Sequence, residues 1–272
     1  MGSTAVRSTK AAIVNSKDGT PIAYWRSGEG PPLVLVHGTT ADHSRWSPVL
    51  PAFERHFTVC AVDRRGRGGS GDSEDYSIWR EFEDVAAVVD SIGEPAFLLG
   101  HSYGAVCALE AALLTRNIRK LVLYEPGMNV TGEQIYPPGF IDRLDALLEA
   151  GDLDGVISTM FRDLVRMPQE EVEYLRSLPA WHERVKAAHT VPRELHADEH
   201  YHFVAERFKD LGTPTLALEG SDSPAFLKAA NRTVDETLPN CRVVVMTGQG
   251  HAAMDTGTDL FTTQVLRFLT AD

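Results

Sequence analysis

"LLGHSYGAVCALEAALL", residues 98–114, runs from apolar strand-formers into an alanine-rich helical stretch. Between the two lies the frame Gly100-His101-Ser102-Tyr103-Gly104. A chain that turns sharply from strand to helix needs small residues on either side of the turn, and glycine supplies them. Such a turn lifts the central side chain clear of the sheet, where a serine hydroxyl becomes accessible as a nucleophile. The plain reading of the same frame is a tight turn that contains a serine. The strand-to-helix setting is what favours the nucleophile.

Working outward, short apolar runs recur at residues 33–36, 58–62, 96–99, 121–124, 215–218 and 242–246. They lack strict alternation, as strands covered on both faces of a parallel sheet do. Helical patterns fall between them at about 45–54, 77–92, 103–115, 224–237 and 258–270. Residues 10–26 read as two strands turning at Asp18-Gly19. The whole predicts an α/β fold, a mostly parallel sheet of about eight strands with helices on both faces. After Tyr124 the pattern breaks, and the next core run starts only at 215. The intervening stretch carries periodic apolar residues, which predicts a helical insertion over 130–207 in a core formed by 1–129 and 208–272.

The chain has 272 residues, with 26 Lys and Arg against 38 Asp and Glu, a net charge of −12. Such an excess of negative charge argues against nucleic acid or an anionic membrane as partner and leaves a small molecule. Three cysteines, Cys60, Cys107 and Cys241, form no disulfide framework. The absence of a long apolar run and of a signal-like N-terminus leads us to expect a cytoplasmic protein. Oligomeric state is not legible.

With "VHG" at 36–38 and "DRRGRGGSGDS" at 63–73 added to the serine frame, the chain resembles the α/β-hydrolases, a likeness covering most of residues 10–270 except the insertion. The resemblance implies a Ser–acid–His triad in that chain order. Ser102 is then the nucleophile, and His251, in "GQGHAAM" after the last strand, is the base. Asp222, in "EGSDSPAF" after the strand at 215–218, is the expected acid. Glu125, in "LYEP" after the strand at 121–124, is the alternative acid, with Glu219 and Asp255 weaker rivals. Backbone N–H groups of Thr39 and Tyr103 would form the oxyanion hole.

Arg64, Arg65 and Arg67 read as braces for their loop, and His37 and His101 as structural. The histidines at 182, 189, 196, 200 and 202 are too loosely spaced for a metal site. No metal or organic cofactor is expected. The implied activity is a serine hydrolase cleaving a small ester, lactone or thioester through an acyl-enzyme. C–C bond hydrolysis or cofactor-free perhydrolysis with the same triad is the alternative. A ligand-binding protein on the same scaffold is the alternative of another class.

Overall fold

The computed structural model describes residues 11–130, 132, 135–178 and 180–271. Eight strands form one sheet: β1 (Ala11–Asn15), β2 (Pro21–Ser27), β3 (Pro32–Val36), β4 (Thr58–Val62), β5 (Ala96–His101), β6 (Ile118–Tyr124), β7 (Thr215–Gly220) and β8 (Cys241–Met246). Their order is β1-β2-β4-β3-β5-β6-β7-β8. The β1–β2 and β2–β4 pairs are antiparallel and all others parallel. The expected run 58–62 coincides with its strand, and the other runs become strands with one or both ends shifted by a residue or more.

Why those runs do not alternate is plain from their packing. Successive side chains of a strand point to opposite faces, and both faces here are covered. Val34, Val36, Leu98, Leu121 and Leu123 pack under α2 (Ile78–Ser91), α3 (Tyr103–Leu114) and α9 (Ala225–Thr237). Leu33, Leu35, Leu99, Val122 and Leu216 pack on the other face, under α1 (Leu50–Phe53), α10 (Ala253–Thr256) and α11 (Thr258–Leu269). The strand β8 differs from the continuous-core expectation: it lies at the sheet edge, and Val245 is exposed.

Between β6 and β7 lie α4 (Phe140–Glu149), α5 (Leu153–Thr159), α6 (Gln169–Ser177), α7 (Ala180–Lys186) and α8 (Thr190–Glu199). They share an apolar cluster of their own, with Phe140, Leu144, Ile157, Trp181 and Val191 at its centre. All five fall within the segment 130–207, of which 131, 133, 134 and 179 lie outside the described residues. So does residue 10, the first of the expected strand pair.

The helix α3 is buried from Tyr103 to Ala112 and is the most enclosed element beside the sheet. Its seat depends on missing side chains. A Cβ on Gly104 would lie 2.3 Å from the carbonyl oxygens of both Val36 and His37, and one on Gly100 would lie 2.3 Å from Gly104 O. Neither neighbour can retreat, because both are backbone in the core. Overpacking at such a point costs about 1–3 kcal/mol or more. Gly104→Ala should therefore lower the free energy of urea unfolding by that order or leave no folded protein, whereas Gly93→Ala, at a glycine with open space around it but a positive φ, should cost only about 1 kcal/mol.

Candidate active site

The turn between β5 and α3 is strained at Ser102, whose φ is 56° and ψ −125°. A non-glycine residue there costs roughly 1–3 kcal/mol and persists only where its surroundings enforce it. They do: Ser102 N donates to Tyr124 O at 2.9 Å, and Ser102 O accepts from Ala105 N at 2.9 Å and Gly127 N at 3.2 Å. The side chain is left on the cavity wall, close to Gly38, where a Cβ would come within 2.8 Å of Ser102 Cβ.

His251 lines the same cavity. Its Nδ1 is 2.5 Å from Glu125 Oε2. Glu125 is fully buried at the end of β6 in a left-handed conformation, φ 49°, and its Oε1 accepts from Gly220 N at 2.6 Å. Both carboxylate oxygens are thereby used, one to hold the imidazole and one to tie down the carboxylate itself. A carboxylate accepting from Nδ1–H leaves Nε2 as the free acceptor of the ring.

This placement corrects the expectation for Asp222. Asp222 N donates to Gln249 O at 2.9 Å, which binds its backbone to the histidine loop, but its side chain is exposed and accepts from Ser221 Oγ. The carboxylate that reaches His251 comes from β6, one strand nearer the serine in the sheet. Asp255 is engaged elsewhere, 2.7 Å from Arg45 Nη2.

Two residues that sequence reading did not place at the site hold the histidine loop. Tyr124 Oη donates to Gly250 O and accepts from Ala253 N. His101 Nε2 lies 3.0 Å from His251 O, with its ring stacked on Tyr124. Burial, then the neighbouring His251 and Arg45, hold the His101 pKa well below the ordinary imidazole value. A neutral His101 donating from Nε2 leaves its buried Nδ1 without a partner, consistent with a structural part.

Thr39 and Tyr103 both line the cavity. Tyr103 is the first residue of α3, where a helix leaves its N–H free and its dipole is positive. The Tyr103 ring is fixed below the site by Tyr76 Oη at 3.1 Å and by the Arg64 guanidinium, 4.5 Å from the ring centroid. The three loop arginines are braces in fact. Arg64 holds Glu81 through two contacts of 2.8 and 2.7 Å, Arg65 holds Asp84 through two of 2.7 Å, and Arg64 and Arg67 both reach Glu194 on α8. Burial opposes ionisation of Glu81, but the Arg64 charge and hydrogen bonds override it and bring the pKa down to about 2.

Asp42, His43 and Asp63 bring three potential metal-ligand atoms within 4.8 Å of one another. Asp63 already accepts from Trp25 Nε1, Gly69 N and His43 N, and also contacts His43 Nδ1. Asp42 accepts from Ser44 N and Oγ. The chemistry of this group is that of a loop brace. The insertion histidines 182, 189, 196, 200 and 202 are all exposed.

The cavity itself measures about 120 Å³. Since one water needs roughly 10–15 Å³ by this measure, the space suits a small substrate. Its lining includes Ser102 and His251, and the insertion contributes apolar Met160, Phe161, Leu164 and Leu195 together with Tyr136, Arg184 and Asp198. No helix among the described residues is long and apolar enough to cross a membrane.

These features coincide with those of one family, and the chain belongs to it: residues 33–262 match the alpha/beta hydrolase family. The chain is similar to the crystal structure of an alpha/beta hydrolase from Sphaerobacter thermophilus, with 35% identity, a TM-score of 0.82 and coverage of 95% of this chain and 100% of that one. It is 24% identical over 267 residues to a 2-(acetamidomethylene)succinate hydrolase from Mesorhizobium japonicum, 90% of each chain being covered. A protein of Mycobacterium tuberculosis named "Probable oxidoreductase EphD" is 35% identical over 101 residues, which span 35% of this chain and 17% of that protein's length.

Asp198, on the cavity wall and bonded by Tyr136 Oη, yields a pH prediction. Burial pushes its pKa up from 3.8 to about 7, with the Tyr136 hydrogen bond opposing. An acid whose folded pKa is raised contributes stability that is full below its unfolded pKa and lost as pH rises through its folded one. Stability should therefore decline between about pH 4 and pH 7 by as much as a few kcal/mol from this group. Asp198→Asn should match the wild type in thermal unfolding at pH 4 and exceed it at pH 8.

Proposed function

We propose that this chain is a serine hydrolase that cleaves a small carboxylic ester or lactone through an acyl-enzyme on Ser102. The observation that carries the reading is the pairing of His251 with the buried, doubly bonded Glu125 at the wall of a cavity shared with a strained Ser102. A serine hydroxyl is a weak nucleophile and needs such a base, itself oriented by a third group.

In the proposed cycle His251 Nε2 takes the Ser102 proton as Oγ attacks the substrate carbonyl. The tetrahedral oxyanion is received by the N–H groups of Thr39 and Tyr103. Collapse breaks the bond to the leaving oxygen, which takes the proton back from His251. Water then attacks the acyl-enzyme by the same route, releasing the acid and restoring Ser102. Glu125 stays ionised throughout and stabilises the imidazolium. Tyr124 and His101 are positioning residues for the histidine loop. The chemistry needs no cofactor and keeps the substrate small, in line with the cavity volume.

A fluorophosphonate probe followed by peptide mapping tests the nucleophile. A stoichiometric adduct on Ser102, absent in Ser102→Ala, is the expected result; a folded protein without an adduct would favour a ligand-binding role. The acid is tested by two variants assayed side by side on short p-nitrophenyl esters. Glu125→Gln should lower kcat by about 10²-fold or more, as loss of the orienting carboxylate does in such triads. Asp222→Asn should stay within about twofold of wild type, and the reverse pattern would remove Glu125 from the mechanism.

A further inference from the structure

The cavity contains two guanidinium groups, and they are not equivalent. Arg45 is neutralised by Asp255 at 2.7 Å. Arg184, from α7, has no carboxylate within 4.0 Å among the described residues. Its Nη1 donates to Thr40 O at 2.8 Å and Thr40 Oγ1 at 3.1 Å, both uncharged acceptors. Its guanidinium lies 5.3 Å from the Phe161 ring centroid. Burial, then the like charge of Arg45, bring its pKa down to about 10. Arg184 is half-buried, and a partly desolvated cation with no close ion pair gains from an anionic ligand.

The other charged groups on the cavity wall do not supply the partner. Asp255 is committed to Arg45, and Asp198 is bonded to Tyr136 while burial pushes its pKa up to about 7. Asp255 and Asp42 attract Arg184 only at longer range, so the wall around Ser102 carries a guanidinium that makes no close ion pair among the described residues, in a protein whose net charge is −12. The location is specific as well. The Thr40 carbonyl and hydroxyl that fix Arg184 belong to the residue beside Thr39, one of the two oxyanion donors of the proposed reaction. A planar fork of donors suits a carboxylate, which it can grip through two oxygens.

We infer that Arg184 is a specificity residue that binds a carboxylate of the substrate, so that the substrate is an anionic acyl compound, such as a half-ester of a short dicarboxylic acid. This rests on the serine-hydrolase reading for its catalytic consequence, but the anion site is testable without it. The cavity lining agrees: Phe161 lies against the cation, and Met160, Leu164 and Leu195 offer apolar surface that suits a short methylene tether.

The test compares mono-p-nitrophenyl glutarate with p-nitrophenyl valerate, which share a chain length and differ by the terminal carboxylate. Wild type should prefer the glutarate half-ester in kcat/KM. Arg184→Gln should reduce the glutarate-to-valerate ratio by about 10- to 100-fold, the range expected for a hydrogen bond to a charged group. Any loss from loosening the Thr40 loop is shared by both esters and cancels in the ratio. Arg184→Lys, which keeps the charge, should recover part of the preference. No preference in wild type, or a ratio in Arg184→Gln within twofold of wild type, would overturn the proposal.

A second arm uses glutarate itself, titrated calorimetrically into Ser102→Ala and into Ser102→Ala with Arg184→Gln. Binding to the first and not the second is expected. Equal binding to both, or binding to neither, would overturn the anion site. Glutarate binding without a fluorophosphonate adduct in wild type would leave the anion site standing and remove the acyl-enzyme. An adduct without glutarate binding would do the reverse.

Discussion

The structure turns on a backbone contact with no room for a side chain. The first turn of α3 sits so close to the end of β3 that Gly104 meets the Val36 and His37 carbonyls directly. That approach compresses the β5–α3 turn into the strained geometry of Ser102, and Tyr124 O and Gly127 N then hold the strain in place. Strain of this kind is stable only on a rigid base, and β5 is buried along its whole length between β3 and β6. The same contact leaves the first N–H of α3 at the cavity, so the proposed nucleophile and one proposed oxyanion donor come from one turn.

A second constraint links the helical insertion to the core. Glu194 of α8 is buried and shared by Arg64 and Arg67, while Arg193 forms a two-point pair with Asp72. Buried ions are expensive to desolvate, and here Glu194 Oε1 is shared by two guanidinium groups while Glu194 Oε2 and Arg67 Nε have no hydrogen-bond partner among the described residues. Such an arrangement favours one seating of the insertion over others. Its consequence is geometric: the lining residues of the insertion, Arg184 among them, are brought to the Ser102 cavity by a fixed charge cluster as well as by apolar contact, which is non-directional.

Much of this was legible along the chain. Runs such as "LVLV" and "AFLL" are apolar at every position because both sheet faces are covered, and the serine frame stands where such a run gives way to a helix. Glycine on either side of Ser102 signals close backbone approach, which is what Gly100 and Gly104 meet. The edge position of β8 was not legible, since "RVVVM" reads the same in the middle of a sheet and at its margin. Nor was the part of Tyr124, an ordinary core aromatic in sequence whose hydroxyl ties down the histidine loop.

The choice of acid marks the boundary between the two kinds of information. The amino-acid sequence by itself determined the sheet, the helical insertion and the serine turn, and its resemblance to the α/β-hydrolases implied the order serine, acid, histidine. It left two carboxylates, Glu125 and Asp222, each following a strand that ends at the same edge. Only tertiary structure shows which of them reaches His251. The Asp222 backbone is bound to Gln249 so that its side chain turns to solvent, while Glu125 is buried with one oxygen on Gly220 N and the other on His251. Likewise, only packing revealed that Arg184 lines the cavity with no carboxylate within 4.0 Å among the described residues. A sequence records which charges exist, but the distances that pair them, or leave one unpaired, arise from long-range contacts that no local pattern encodes.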